Sequence, residues 1–216
     1  MLFKLIGEMH ASEHPLTKAW ADEPLKLIPT PKSKLKLTAE KKGQEASDAS
    51  TVATEMCNVH NVLLRAINCI LLQARNVPQS TANDVADFVT FSLHVIATIS
   101  EHHHTEETLM FPLFEKHSKA GLLDENVVQH DEFHKGMHDL EIYLTQIQND
   151  VAEYDGEKVM RLVEGFAPAL HRHLEDEIDT LLKLEEYDVP WAEVMKKVTE
   201  HAVNTPNPVC TQSPTP

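Results

Sequence analysis

From Thr51 onward the apolar residues recur at a spacing near 3.6, the period of an amphipathic helix. Met56, His60, Leu63, Ile67, Leu71 and Ala74 share one face, and a first helix is expected from Thr51 to just before Pro78. A second run, capped by Asn83 or Asp84, carries Phe88, Val95, Ile99, His102, Glu106, Leu109 and Leu113, and Pro112 is expected to bend or end it. A short Gly-Leu-Leu-Asp-Glu connection leads to a third stripe of His130, Phe133, Met137, Leu140, Leu144 and Ile147. After a turn at Asp155 and Gly156, a fourth helix is expected from about Glu157 through Leu162, Phe166, Leu170, His173, Glu177, Leu181 and Leu184, with Pro168 tolerated as a kink. Four long helices joined by short links predict an all-α, up-down four-helix bundle over residues 51–187.

The flanks read differently. Residues 1–50 lack helical periodicity, contain Pro15, Pro24, Pro29 and Pro31, and carry eight lysines between Lys4 and Lys42, the pattern of an extended arm. Within it Trp20, Leu25, Leu27 and Ile28 are expected to dock on the outside of the core, while Lys32–Ser50 reads as a mobile linker. In residues 188–216, Pro190–Val203 is expected to add a short helix before a disordered tail.

Composition narrows the function classes. Of 216 residues 25% are charged and 42% hydrophobic, an ordinary globular balance. Lys and Arg total 19 against 34 Asp and Glu, a net charge of -15 that would repel a phosphate backbone, so no nucleic-acid partner is expected. No run of eighteen apolar residues points to a membrane span, and the stretch Met1–His10, with Glu8 inside it, does not read as a signal peptide. Three cysteines, Cys57, Cys69 and Cys210, are too few for a disulfide scaffold. A cytoplasmic location is expected. Histidine is the outlier, with 14 residues against 6 glycines.

Three of the helices pair ligand-type residues one turn apart: His102 with Glu106, His130 with His134, and His173 with Glu177; the first helix supplies His60. Residues four apart are rotated by only about 40° on a helix, so both side chains of a pair can reach one point. Seven donors can therefore meet on one bundle axis. The register has rivals, since His103 with Glu107 and His171 with Glu175 have the same spacing. On the fourth helix His173 and Glu177 continue the row of Phe166, Leu170, Leu181 and Leu184, whereas His171 and Glu175 align with Ala167 and Asp179 on a face read as solvated. On the second helix the rival row includes Ile96, Met110 and Phe114 beside Ser100, and packing leaves that choice open. Unpaired polar groups in an apolar stripe would cost roughly 2–7 kcal/mol each. Metal coordination removes that cost, and imidazoles with carboxylates and no thiolate suit iron, manganese or zinc. Five histidines and two glutamates exceed one tetrahedral zinc and divide over two ions, leaving an exchangeable position.

The segments HHHTEETLMFP (His102–Pro112), HDEFH (His130–His134) and HLEDE (His173–Glu177), with the His60 helix, resemble the hemerythrin family in its HHE cation-binding branch, over about residues 51–187. WADEPLKLIPTP and MCNVHNVLLRAINCI further resemble fungal members. The resemblance implies a non-haem di-iron centre with an oxo or hydroxo bridge. His130, His134 and His173 would bind one iron, His60 and His102 the other, and Glu106 and Glu177 would bridge. The E-E-x-x-x-F-P context favours Glu106 over Glu107. In the oxygen-carrying hemerythrins an aspartate follows the last histidine by five residues; here Glu177 follows His173 by four, as in the HHE branch. The longer gap from His60 to His102 places an insertion after Pro78 near the pocket mouth.

Three functions follow as expectations. The first is binding of O2 or NO at an open iron position; the second is an O2-activating oxidoreductase acting on a small organic metabolite; the third is iron storage or sensing. Zinc or manganese are possible substitutes for iron. His103, His104, His138 and His171 are read as supporting or solvated residues, His94 as a satisfied helix histidine or a donor to bound oxygen, and Cys57 as a small core residue. Phe133, Met137, Phe166 and Leu63 are read as core that also lines the oxygen pocket.

Overall fold

The structure, a computed structural model, describes residues 21–31, 47–77 and 82–204. The elements in order are α1 (Asp48–Gln73), α2 (Ala82–Thr105), a π-helical turn (Glu106–Met110), α3 (Phe111–His117), α4 (Asp124–Gln148), α5 (Gly156–Lys183), a 3-10 turn (Leu184–Glu186) and α6 (Trp191–Asn204). There is no strand among the described residues. Helix α1 packs on α2 and α5, and α4 packs on α2 and α5, which closes the four long helices into the expected bundle. None of the described helices is long and apolar enough to cross a membrane.

Local chemistry sets the helix ends. Helix α1 starts at Asp48, three residues before the expected Thr51, because the Ser47 hydroxyl accepts from Ser50 N at 3.2 Å. Helix α2 starts at Ala82, so Asp84 lies in its first turn, where its charge complements the helix dipole. Asp155 caps α5 by accepting from Glu157 N at 2.9 Å and Lys158 N at 3.2 Å. Pro168 lies inside α5 on its exposed side, where water can satisfy the carbonyl that a proline nitrogen cannot serve. Ala167, read as solvated, is instead buried, because the apolar band of α5 is wider than one row.

The largest departure is in the second run. Pro112 offers no N–H to the carbonyl of Thr108, and the chain rewinds just before it: Phe111 N–H donates to Glu106 O, a five-residue step. The extra residue per turn changes the phase. Downstream, Met110, Phe111 and Phe114 are the buried residues, while Leu109 and Leu113 are only partly covered.

Residues 21–31 cross the outside of α1 as a strap. Leu25 and Ile28 are buried, as their apolar character predicts, but two asparagines of α1 hold the strap's backbone. Asn68 accepts from Leu25 N at 2.9 Å and donates to Leu25 O at 2.8 Å and Ala21 O at 2.7 Å. Asn61 accepts from Ile28 N at 2.8 Å and donates to Ile28 O at 2.9 Å, and the Cys57 thiol also donates to Ile28 O, at 3.3 Å. Trp20, Lys32–Ala46, Pro78 and the tail from Thr205, Cys210 included, lie outside the described residues. Asn68→Ala strands three backbone groups at once, and a loss of about 1–3 kcal/mol is expected in denaturant unfolding. An unchanged midpoint would mean that the strap adds no stability.

Candidate metal centre

Four helices aim imidazoles and carboxylates into the middle of the bundle. His60 comes from α1, His102 and His103 from the last turn of α2, Glu106 from the π turn, His130 from α4, and His173 and Glu177 from α5. Their donor atoms form two groups, each with all atoms within 4.8 Å of one another: His103, Glu106, His130 and His173; and His60, His102, Glu106 and Glu177. Glu106 belongs to both. Six of the seven residues expected from the sequence are thus brought together. The seventh, His134, is in neither group; it is partly exposed, its ring centroid 5.9 Å from that of His130.

His103 stands in the cluster where the sequence reading put a supporting or solvated residue. It is fully buried, with its ring 4.5 Å from that of His130 and 5.0 Å from that of His173. His102, His103 and Glu106 lie within about 100° of arc on a regular helix, so one side of the end of α2 can present all three to the interior. The signal lay in the rival row of Ile96, Met110 and Phe114, which is buried as fully as the row chosen. On α5 the packing argument matches the geometry: His173 and Glu177 are buried, Glu175 is exposed, and His171 donates its Nε2–H to Lys26 O of the strap at 2.8 Å. His94 bonds its own helix, Nδ1 to Thr90 O at 2.6 Å.

The ring tautomers follow from partners that can only accept. His60 Nδ1 lies 2.8 Å from Leu174 O, and His130 Nδ1 lies 2.5 Å from Glu107 Oε1, so each Nδ1 carries the proton. Asp176 takes the amide N–H of Gln129 at 2.8 Å; this turns Gln129 Oε1 toward His173 Nδ1 at 3.3 Å, which must then donate. All three rings therefore turn Nε2 to the interior. Two facing pairs need a proton or a cation between their members: His130 Nε2 lies 3.1 Å from His173 Nε2, and His60 Nε2 lies 3.2 Å from Glu177 Oε2. His102 Nε2 lies 2.9 Å from Glu106 Oε1 and His130 Nε2 lies 3.5 Å from Glu106 Oε2. Both oxygens of Glu106 and of Glu177, both nitrogens of His103, and Nε2 of His60 and His102 are buried without a hydrogen bond. Only protons or cations between such atoms remove the repulsion. Anchoring each ring from behind by an acceptor is how proteins orient metal-binding histidines. The donor set fits divalent metal ions.

Burial drives the electrostatics of the metal-free centre. It pushes the Glu106 carboxyl up to about 8, helped by the neighbouring Glu177 charge. Burial pushes His173 down to about 3 and lowers His102 and His103, so these rings are neutral at pH 7. Burial also acts upward on Glu177, but the His60 ring on its oxygen and the surrounding imidazoles hold it below the usual carboxylate range. Because Glu106 keeps its proton at pH 7, a cation binding there must displace it, whereas the neutral rings of His102, His103 and His173 release none. Calorimetry in buffers of different ionisation enthalpy is expected to show about one proton released from this group at pH 7, falling toward none at pH 9. Release that does not fall over that range would show that Glu106 is already ionised at neutral pH.

The hemerythrin HHE cation binding domain family matches residues 51–184. A fungal protein, "Dimeric xanthone biosynthesis cluster protein R11" from Cryptosporiopsis sp. (strain 8999), is 33% identical over 176 residues, covering 80% of this chain and 63% of that protein. The chain therefore spans less than two thirds of that relative's length. No solved structure matches at a significant level. The helical bundle, the central cluster of buried imidazoles and carboxylates and the match across the bundle agree, and the chain belongs to the hemerythrin HHE cation-binding family.

Proposed function

We propose that the central cluster holds two iron ions through His60, His102, Glu106, His130, His173 and Glu177, and that the loaded centre takes up O2, or NO, at a coordination position the protein leaves open. The observation that carries this reading is the set of buried nitrogens and oxygens that face one another at close range without hydrogen-bond partners. Mixed imidazole and carboxylate donors suit iron, and these residues give three protein donors on one ion and four on the other, with Glu106 counted on both, which falls short of six-fold coordination. Bound iron supplies a redox-active Lewis acid. The protein's own contribution is to fix the rings from behind and to pack buried Phe133 against His103, His130 and His173, and buried Phe111 against His130, which excludes water from that side.

A second reading has its own support. The relative's name places it in a dimeric xanthone biosynthesis cluster, which favours an oxidoreductase that uses O2 on a small, polycyclic aromatic metabolite. One experiment separates the two. The full chain is loaded anaerobically with ferrous iron and exposed to air. A visible charge-transfer band that forms and is lost again under vacuum is expected for carriage. Irreversible oxidation that turns over only with an added aromatic substrate would favour the enzyme. A chain that retains no iron after desalting would remove both readings.

A further inference from the structure

In the ligand set implied by family resemblance, the third imidazole on the His130 and His173 side comes from His134. The structure offers a different residue there. His103 is fully buried and neither of its ring nitrogens has a partner, a costly arrangement for a side chain that serves only as packing. It shares a donor group with His130, His173 and Glu106. His134 belongs to no such group and keeps access to solvent, its ring 5.2 Å from Phe133 and 6.2 Å from His103. Consecutive residues on α2 are about 100° apart, so His102 and His103 diverge from one side of the helix, one into each donor group.

We propose that His103, in place of His134, is the third imidazole ligand of the metal position built by His130, His173 and Glu106. This rests on the two-metal reading above. The two positions then differ in chemistry. One has three imidazoles and a carboxylate, the other two imidazoles and two carboxylates, with Glu106 common to both. His134, free of metal, stands partly exposed beside the three-imidazole position.

Zinc content of the full-length protein, measured by elemental analysis after loading with Zn2+ and desalting, tests the assignment. Wild type and His134→Leu are expected to keep two zinc ions per chain, and His103→Leu one. Loss of an ion from His134→Leu, whether or not His103→Leu also loses one, would overturn the assignment. If His103→Leu does not fold by circular dichroism, nitrogen-15 spectra of histidine-labelled wild type decide. Zn2+ is expected to shift a ring nitrogen of His103 and leave those of His134 in place; the opposite pattern would overturn the proposal. A folded wild type that takes up no zinc would overturn the two-metal reading itself, an outcome distinct from an exchange of roles between the two histidines.

Discussion

Glu106→Ala is expected to empty both metal positions while leaving the bundle intact. Its two oxygens serve both donor groups, so one substitution removes a ligand from each. Elsewhere in the cluster a single loss leaves one group complete. The metal-free scaffold has little to lose, because Glu106 is buried, makes no hydrogen bond through either oxygen and is held protonated by burial. Removing such a group relieves a desolvation cost of about 1–3 kcal/mol, which offsets the small cavity left behind. Metal content by elemental analysis should therefore fall from two ions per chain to near none, with the metal-free melting temperature unchanged or raised. Glu107→Ala gives the contrast: it touches only the outer nitrogen of His130, and a loss of about 10–100-fold in affinity is expected, with both ions retained at saturation. Two ions retained by Glu106→Ala would show that the carboxylate does not bridge.

The largest effect on stability is expected at a glycine far from the metal cluster. A Cβ on Gly156 would lie 2.1 Å from the carbonyl oxygen of Ala74 and 2.7 Å from its carbon. The obstacle is backbone, and it is pinned: the same carbonyl accepts from Tyr154 Oη at 2.6 Å, and Arg75 Nε pairs with Glu157 at 2.6 Å. Neither side can yield without breaking these contacts. Gly156→Ala is expected to cost about 3 kcal/mol or more, a fall of roughly 6–12 °C in melting temperature for a domain of this size. Gly165→Ala, on the exposed side of the same helix with nothing within 4 Å of the added carbon, should instead gain about 0.5–1 kcal/mol. Equal effects at the two sites would show that the close approach at Gly156 is not real.

The contrast between these positions also marks what a linear pattern can carry. The four long helices follow from apolar spacing alone, and on α5 the same spacing separates buried His173 and Glu177 from exposed Glu175. Spacing fails on the second run because it assumes one winding throughout, and Pro112 breaks that assumption four residues after Thr108. Hence Leu109 and Leu113 lose the interior to Met110 and Phe114. The strap shows a second limit. Leu25 and Ile28 advertise burial by being apolar, but Asn61 and Asn68 resemble surface residues. Their meaning lies in being seven apart on a helix, two turns on one face, where each side chain can pair with a passing backbone. Gly156 carries no chemical sign of the carbonyl pressed against it. That constraint exists only between segments distant in the chain.

The wide turn at Glu106–Met110 acts as a phase shifter between two regular stretches of one rod. Substituting side chains on either stretch changes what is presented but not the direction it points. Only a change in residue number within the turn would re-aim the histidines before it relative to the phenylalanines after it. Adding or deleting one residue there should therefore alter this protein more deeply than any exchange of one residue for another.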